Sequence, residues 1–322
     1  MGSGCRHRGR TGNWRTRALR LLLGWALLVG VHTPGLAAEI QVLLADAAPH
    51  YLAAAERLRE HLKRLKPGVS VRVHTGAKLS AATWAETDIL VTVGAEALTT
   101  LRAAHPERVA LHLFITRDFW LDRQTRDPDL ARQPGLALDQ PPEHLVALAR
   151  TLLPEARTLA VVLGPLARRN LEVVQTTALG LGFEPAIAVL SARDNPLAVL
   201  SPLVADADAI LVLPDRAEFN GPLAKWVLQL GFRARVPVLA FSRAYADAGA
   251  LAAVFTAPDD VGREGAELLA NWLDTGHYPQ GIQYPRAYSV ATNPAVASAL
   301  GVEPPAAAVI AQRLGTTLRR LQ

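Results

Sequence analysis

From Ile40 onward, short continuous apolar runs alternate with segments whose apolar residues recur every three or four positions, and few folds accommodate that order. Ile40 to Ala45 (IQVLLA) reads as a strand buried on both faces. Leu52, Ala55, Leu58, Leu62 and Leu65 then mark one face of a helix that ends at Pro67-Gly68. The pattern repeats. Further strands are expected near Val69–Val73, Asp88–Val93 and Val109–Ile115, with a helix over Ala95–Ala104 between the last two. A charge-rich stretch with two prolines, Thr116 to Pro134, interrupts the series.

The alternation then restarts. Strands are expected at Gly135–Leu138, Thr158–Leu163, Pro185–Leu190, Ala209–Leu213, Val236–Phe241 and Ala250–Phe255. Helices are expected at Pro141–Leu153, Ala167–Leu181, Leu197–Ala205 and Gly221–Arg233. Pro258, followed by Asp259 and Asp260, opens another helix, because proline suits the first turn and carboxylates suit the positive helix N-terminus. Gly276 ends it. Beyond it lie a strand-like piece at Ala287–Ala291 and two short helical segments. Two βαβ series separated by an irregular bridge predict an α/β protein with two doubly wound, Rossmann-like lobes.

The N-terminus predicts export. The first 37 residues hold six arginines and no acidic residue, followed by an apolar run from Leu19 to Val31 and small residues at Pro34-Gly35-Leu36-Ala37-Ala38. This is the layout of a cleavable signal peptide, with the cut expected after Ala37 or Ala38. A run of about 13 residues is short of the roughly 20 needed to span a bilayer. The lone cysteine, Cys5, precedes the run, which argues against a lipid anchor. The expected location is periplasmic or otherwise extracytoplasmic.

Removing that segment changes the charge argument. The whole chain carries 34 basic and 29 acidic residues, so loss of the six arginines leaves a nearly neutral mature protein. Nucleic-acid binding therefore has no electrostatic support. No cysteine remains for a disulfide or a thiolate site. Half of the residues are apolar, enough to build the core that must hold the chain together.

Enzyme signatures are missing. No Gly-x-Ser-x-Gly elbow, P-loop or His-Glu-x-x-His occurs. Gly180-Leu181-Gly182 falls at a helix end and is no dinucleotide fingerprint. The histidines are scattered without metal-ligand spacing, and His112, alternating within a strand, reads as a core residue. Neither a metal nor a cofactor is expected.

What remains is the set of loops at the C-terminal ends of strands, where α/β sheets bind ligands. Those loops are Asp46 to Tyr51, Gly94-Ala95-Glu96, Thr116 to Trp120, Gly164-Pro165, Pro214-Asp215-Arg216 and Ser242 to Tyr245. The candidate ligand-binding residues in them are Asp46, Tyr51, Glu96, Phe119, Asp215, Arg243 and Tyr245. Rings for apolar area and a few charges for orientation suit a small zwitterion or ring-bearing solute. Each has a structural reading too: Asp46 and Asp215 as helix caps, the rings as wall packing, and Arg243 as a partner of Asp247.

The stretch Pro237 to Gly276, PVLAFSRAYADAGALAAVFTAPDDVGREGAELLANWLDTG, resembles the C-terminal half of the ABC-transporter substrate-binding proteins with a type I periplasmic binding fold. The matching pieces are Pro237 with its strand, Ala248-Gly249-Ala250, Asp260 to Gly262, and Asn293 to Gly301-Val302. Pro214-Asp215 and Gly94-Ala95 match more loosely.

The resemblance implies two lobes joined by three crossings, with a small organic solute, such as an aromatic amino acid, held in the cleft between them. In that fold the helix from Pro258 returns to the first lobe, and the later strand crosses back. The expected division is 38–118 with 257–280 for the N-terminal lobe and 119–256 with 281–322 for the C-terminal lobe. One departure stands out: the loop after the first strand usually carries a hydroxyl near the ligand, and here it is Asp46-Ala47-Ala48. The implied partner is a membrane permease or another envelope protein. Two alternatives stay open: an accessory or sensory protein on the same fold with no transported ligand, and a secreted enzyme using carboxylates such as Asp46 and Asp215.

Overall fold

A computed structural model describes residues 1–2, 4, 39–75, 84–191, 193–215 and 221–321, without the side chains of 221 and 222. The expected signal segment and Arg216 lie outside the described residues. Ala38–Gln322 forms one compact unit.

The first lobe is built on a six-stranded sheet. Its strands are β1 (Glu39–Leu44), β2 (Ser70–Thr75), β3 (Ile89–Val93), β4 (Ala110–Ile115), β5 (Pro134–Ala137) and β11 (Gly281–Gln283). They lie in the order β11-β5-β4-β3-β1-β2, all parallel. Helices α1 (Pro49–Leu65) and α2 (Ala95–Ala104) connect them. The second sheet has the order β12-β10-β9-β8-β6-β7. It comprises β6 (Thr158–Leu163), β7 (Glu184–Val189), β8 (Ala209–Val212), β9 (Val238–Ala240), β10 (Ala252–Phe255) and β12 (Ser289–Thr292). Only β12 runs antiparallel to its neighbour, β10. Helices α4 (Pro142–Leu152), α5 (Leu171–Gly180), α6 (Pro196–Ala205) and α7 (Gly221–Ala234) cover it, with α10 (Pro294–Leu300) and α11 (Ala307–Arg319) at the end of the chain.

The first sheet reaches further along the chain than the sequence suggests. Residues 134–137 and 281–283, expected in the second lobe, pair in the first sheet, and Trp120 and Leu130 pack with Ala95, Leu98 and Ile115. Leu113 pairs with Leu136 and Gln283 with Leu136 from the other side, so β5 has sheet neighbours on both edges. The stretch expected to be irregular also holds a helix, α3 (Arg117–Gln124), and a short 3-10 turn at Pro128–Arg132. The Thr116 hydroxyl accepts the Phe119 N–H at 3.3 Å to cap α3, and Trp120 anchors it, fully buried.

Helix α9 (Pro258–Thr275) follows the last parallel strand of the second sheet, yet packs in the first lobe against α1. Its Val261, Ala266 and Leu269 join Ile40, Leu58, Leu62 and Val91 in one buried cluster. Gly262 permits the approach, because a Cβ there would stand 2.2 Å from the Ala54 carbonyl oxygen. The chain therefore crosses between lobes at 138–141, 256–257 and 284–288, three passages as the type I fold requires.

Buried Gln140 ties all three passages together, its Nε2 donating to Thr256 Oγ1 at 2.7 Å and to the Ala287 carbonyl at 2.9 Å. Glu264 of α9, also buried, accepts the backbone N–H groups of Arg286 (3.0 Å) and Ala287 (2.8 Å).

Candidate functional site

The parallel strands of both sheets point their C-terminal ends at the space between the lobes, and a cavity of about 400 Å³ opens there. From the first lobe it is lined by His50 after β1, Phe114 and Thr116 at the end of β4, and Leu138 and Asp139 after β5. From the second it is lined by Pro214 after β8, Phe241 to Ala244 after β9, and Phe255 to Pro258 after β10. Strand ends converging on one crevice are where open α/β sheets bind small molecules.

Phe114 reaches this space through an irregularity in β4. The register between β4 and β5 slips between Leu113 and Ile115, and Phe114 takes the left-handed conformation, with φ 63°. A bulge of this kind takes a side chain out of the strand's alternation and re-aims it. Its ring stacks on His50, with centroids 5.4 Å apart and planes 25° apart, and meets Tyr51 edge-on at 5.3 Å. A left-handed phenylalanine costs about 1–3 kcal/mol, strain of the sort that persists at functional sites.

The polar groups are few. The exposed Arg243 guanidinium lies over the Phe255 ring, 5.2 Å from its centroid. It begins a short helix, α8 (Arg243–Ala248), where a loop is expected, and the Ser242 hydroxyl caps that helix by accepting the Tyr245 N–H at 3.2 Å. Across the cavity, Asp139 Oδ1 accepts the Arg117 N–H at 2.8 Å. Burial pushes the Asp139 carboxyl up to about 7, against the opposing pull of that hydrogen bond. Asp118 is likewise pushed up to about 6, chiefly by burial, and accepts from Asn170 Nδ2 of the other lobe at 3.0 Å.

Of the residues singled out from sequence, Arg243 lines the cavity. Tyr51 and Tyr245 stand one layer behind it, Tyr51 against His50 and Phe114, Tyr245 against Phe241 at 5.3 Å. Phe119 packs beside Trp120 in the first lobe. Asp46 and Glu96 are exposed at strand ends of the first lobe, Asp46 Oδ1 accepting the Ala48 N–H at 2.6 Å. Buried Asp215 accepts the Leu166 and Ala167 N–H groups at 2.7 and 2.8 Å and so braces the turn after β6. His112 is a core residue, fully buried and bonded through Nδ1 to the Thr92 hydroxyl at 2.7 Å. The lining groups not singled out from sequence include His50, Phe114, Thr116, Asp139, Phe241 and Phe255. His50 and Thr116 fall in loops marked from sequence; a register slip such as that at Phe114 leaves no trace in the run ALHLFI.

Two doubly wound lobes, three crossings and a cleft at the strand ends define a type I periplasmic binding protein fold. Residues 134–311 match the family described as ABC transporter substrate binding protein, and the chain belongs to that family. No curated protein sequence gives a significant match. Among solved structures, a substrate binding protein with adhesive properties from Clostridium difficile, in its ligand-free open form, is similar with a TM-score of 0.66 at 14% identity. That likeness covers 84% of this chain and 96% of the other. An ABC domain from Streptococcus pneumoniae in complex with L-Trp aligns with a TM-score of 0.60 at 16% identity, over 86% of this chain and 98% of that one. A periplasmic ribose ABC transporter protein from Conexibacter woesei aligns with a TM-score of 0.53 at 13% identity, over 83% and 95%. Identities this low speak for the fold.

Proposed function

We propose that the chain is the extracytoplasmic solute-binding protein of an ABC importer and takes an amino acid with an apolar or aromatic side chain between its closing lobes. The observation that carries this reading is the composition of the cleft: rings of His50, Phe114, Phe241 and Phe255, with one cation and one carboxylate. Arg243 would hold the solute carboxylate, and Asp139 its ammonium group. Binding the ammonium would keep Asp139 charged, offsetting the burial that favours its protonated form.

Rings on both lobes enclose the side chain only when the lobes close, so solute shifts the open–closed equilibrium by its differential affinity. Tyr51 and Tyr245 support the walls, and Phe119 and Asp215 hold the loops beside them. Asp46 and Glu96, exposed at strand ends of the first lobe, would meet the second lobe on closure. The N-terminal segment would deliver the chain across the membrane, and the closed form would dock on the permease.

A thermal-shift screen of Ala38–Gln322 against amino acids, sugars, vitamins and small peptides tests the reading. A ligand at a hundred times its dissociation constant adds about 2.7 kcal/mol of stability. An amino acid producing such a shift, absent in Arg243→Gln, supports it. A shift from sugars alone, or from no solute at all, rejects it.

A further inference from the structure

The outer layer of the second lobe, formed by α6 and α7, has a composition that folding alone does not require. The two helices pack side by side, with Leu200, Val204, Leu223 and Val227 buried in one cluster. A helix that is apolar all round is ordinarily buried. Helix α6 reads PLAVLSPLVA, without a charge, yet Ala198, Ser201, Pro202 and Ala205 are exposed and Leu197 is 40% exposed. On α7 the outward arc consists of Lys225, Trp226, Gln229, Phe232 and Arg233. Trp226 is 41% and Phe232 63% exposed. Exposed Arg235 follows immediately, and no acidic residue occurs from 221 to 235. Among the described residues none of the three cations pairs with a carboxylate.

We infer that this face docks reversibly on an anionic phospholipid surface. Tryptophan and phenylalanine settle at the headgroup boundary, and basic residues beside them are drawn to anionic lipid. The outward face of α6 itself carries no charge, and the exposed carboxylates nearest to it, Asp194 and Asp206, stand beyond its two ends. A second copy fits poorly, because a two-fold contact would set these cations against one another. Docking through α6 and α7 is independent of the solute cleft.

The test is flotation of Ala38–Gln322, whose two sheets and cores use no residue before Glu39, with phosphatidylcholine vesicles and with vesicles containing about one-third phosphatidylglycerol. Each cation near an anionic surface contributes about fivefold in partitioning, so three give roughly 100-fold preference for the anionic vesicles, weakening with salt. Lys225→Gln with Arg233→Gln should lose about 25-fold of the binding. Trp226→Ser with Phe232→Ser should lose binding independently while leaving the thermal midpoint and the solute response intact. Absence of binding to anionic vesicles, or binding unchanged in both double variants, overturns the inference. Retention on an acidic polypeptide with none on vesicles overturns it in favour of a protein partner.

Discussion

Glu264→Ala is expected to loosen the joint between the lobes. The Glu264 side chain is almost fully buried, and its two oxygens accept the N–H groups of Arg286 and Ala287 in the third crossing, at 3.0 and 2.8 Å. Arg263 and Arg286 lie 3.6 Å from the same carboxylate. A hydrogen bond to a charged group contributes about 1.5–3 kcal/mol, so deleting both acceptors costs about 3–5 kcal/mol. The Arg286 side chain is 74% exposed, and water reaching that side of the site places the loss near the lower end. For a protein of this size, about 3 kcal/mol lowers the midpoint by roughly 5 °C. Glu264→Gln keeps one acceptor but turns an amide N–H toward the second donor, and should lose about half as much. Urea unfolding of wild type and both variants reads these losses, and hydrogen exchange at 284–288 should quicken. A loss below about 1 kcal/mol in Glu264→Ala would refute the reasoning and leave the crossing held by other contacts.

Three further outcomes follow from the geometry. Asp139, with its carboxyl raised to about 7, contributes stability that is fully present below the ordinary carboxylate range and lost as pH rises through 7. Asp139→Asn should therefore raise the midpoint at pH 8, leave it unchanged at pH 4, and weaken amino-acid binding, a stability gain and an affinity loss in one variant. Phe114→Gly should be more stable than Phe114→Ala by about 1 kcal/mol, since only glycine accepts φ 63° without strain, while both lose about tenfold in solute affinity with the ring. Gly262→Ala, placing a Cβ 2.2 Å from the Ala54 carbonyl, should cost about 3 kcal/mol by prising α9 from α1, read by denaturant midpoint.

Most of the parallel strands were legible because they are unbroken apolar runs bounded by turns, and α9 because Pro258, Asp259 and Asp260 mark its start and Gly276, with φ 69°, its end. What escaped is short or non-local. Helix α3 reads RDFWLDRQ, too charged to show a face, and is fixed by one buried indole and the Thr116 cap. Strand β11 has three residues and exists only because β5 offers it an edge. The place of β5 in the first sheet was hidden for the same reason: it pairs with β4 across a charge-dense insertion, and local composition carries no record of that pairing. At the site, loop positions revealed Arg243, whereas Asp139 follows a strand of four residues and Phe114 depends on a register slip.

The most direct test of zwitterion recognition is a calorimetric titration of Ala38–Gln322 with tryptophan, with tryptamine and with indole-3-propionate. If Arg243 and Asp139 hold the two ends of the solute, tryptophan binds, and each analogue, lacking one charge, binds about 30-fold more weakly, as expected for one lost charge-assisted hydrogen bond. Equal affinity for all three, or binding of none, would contradict the account.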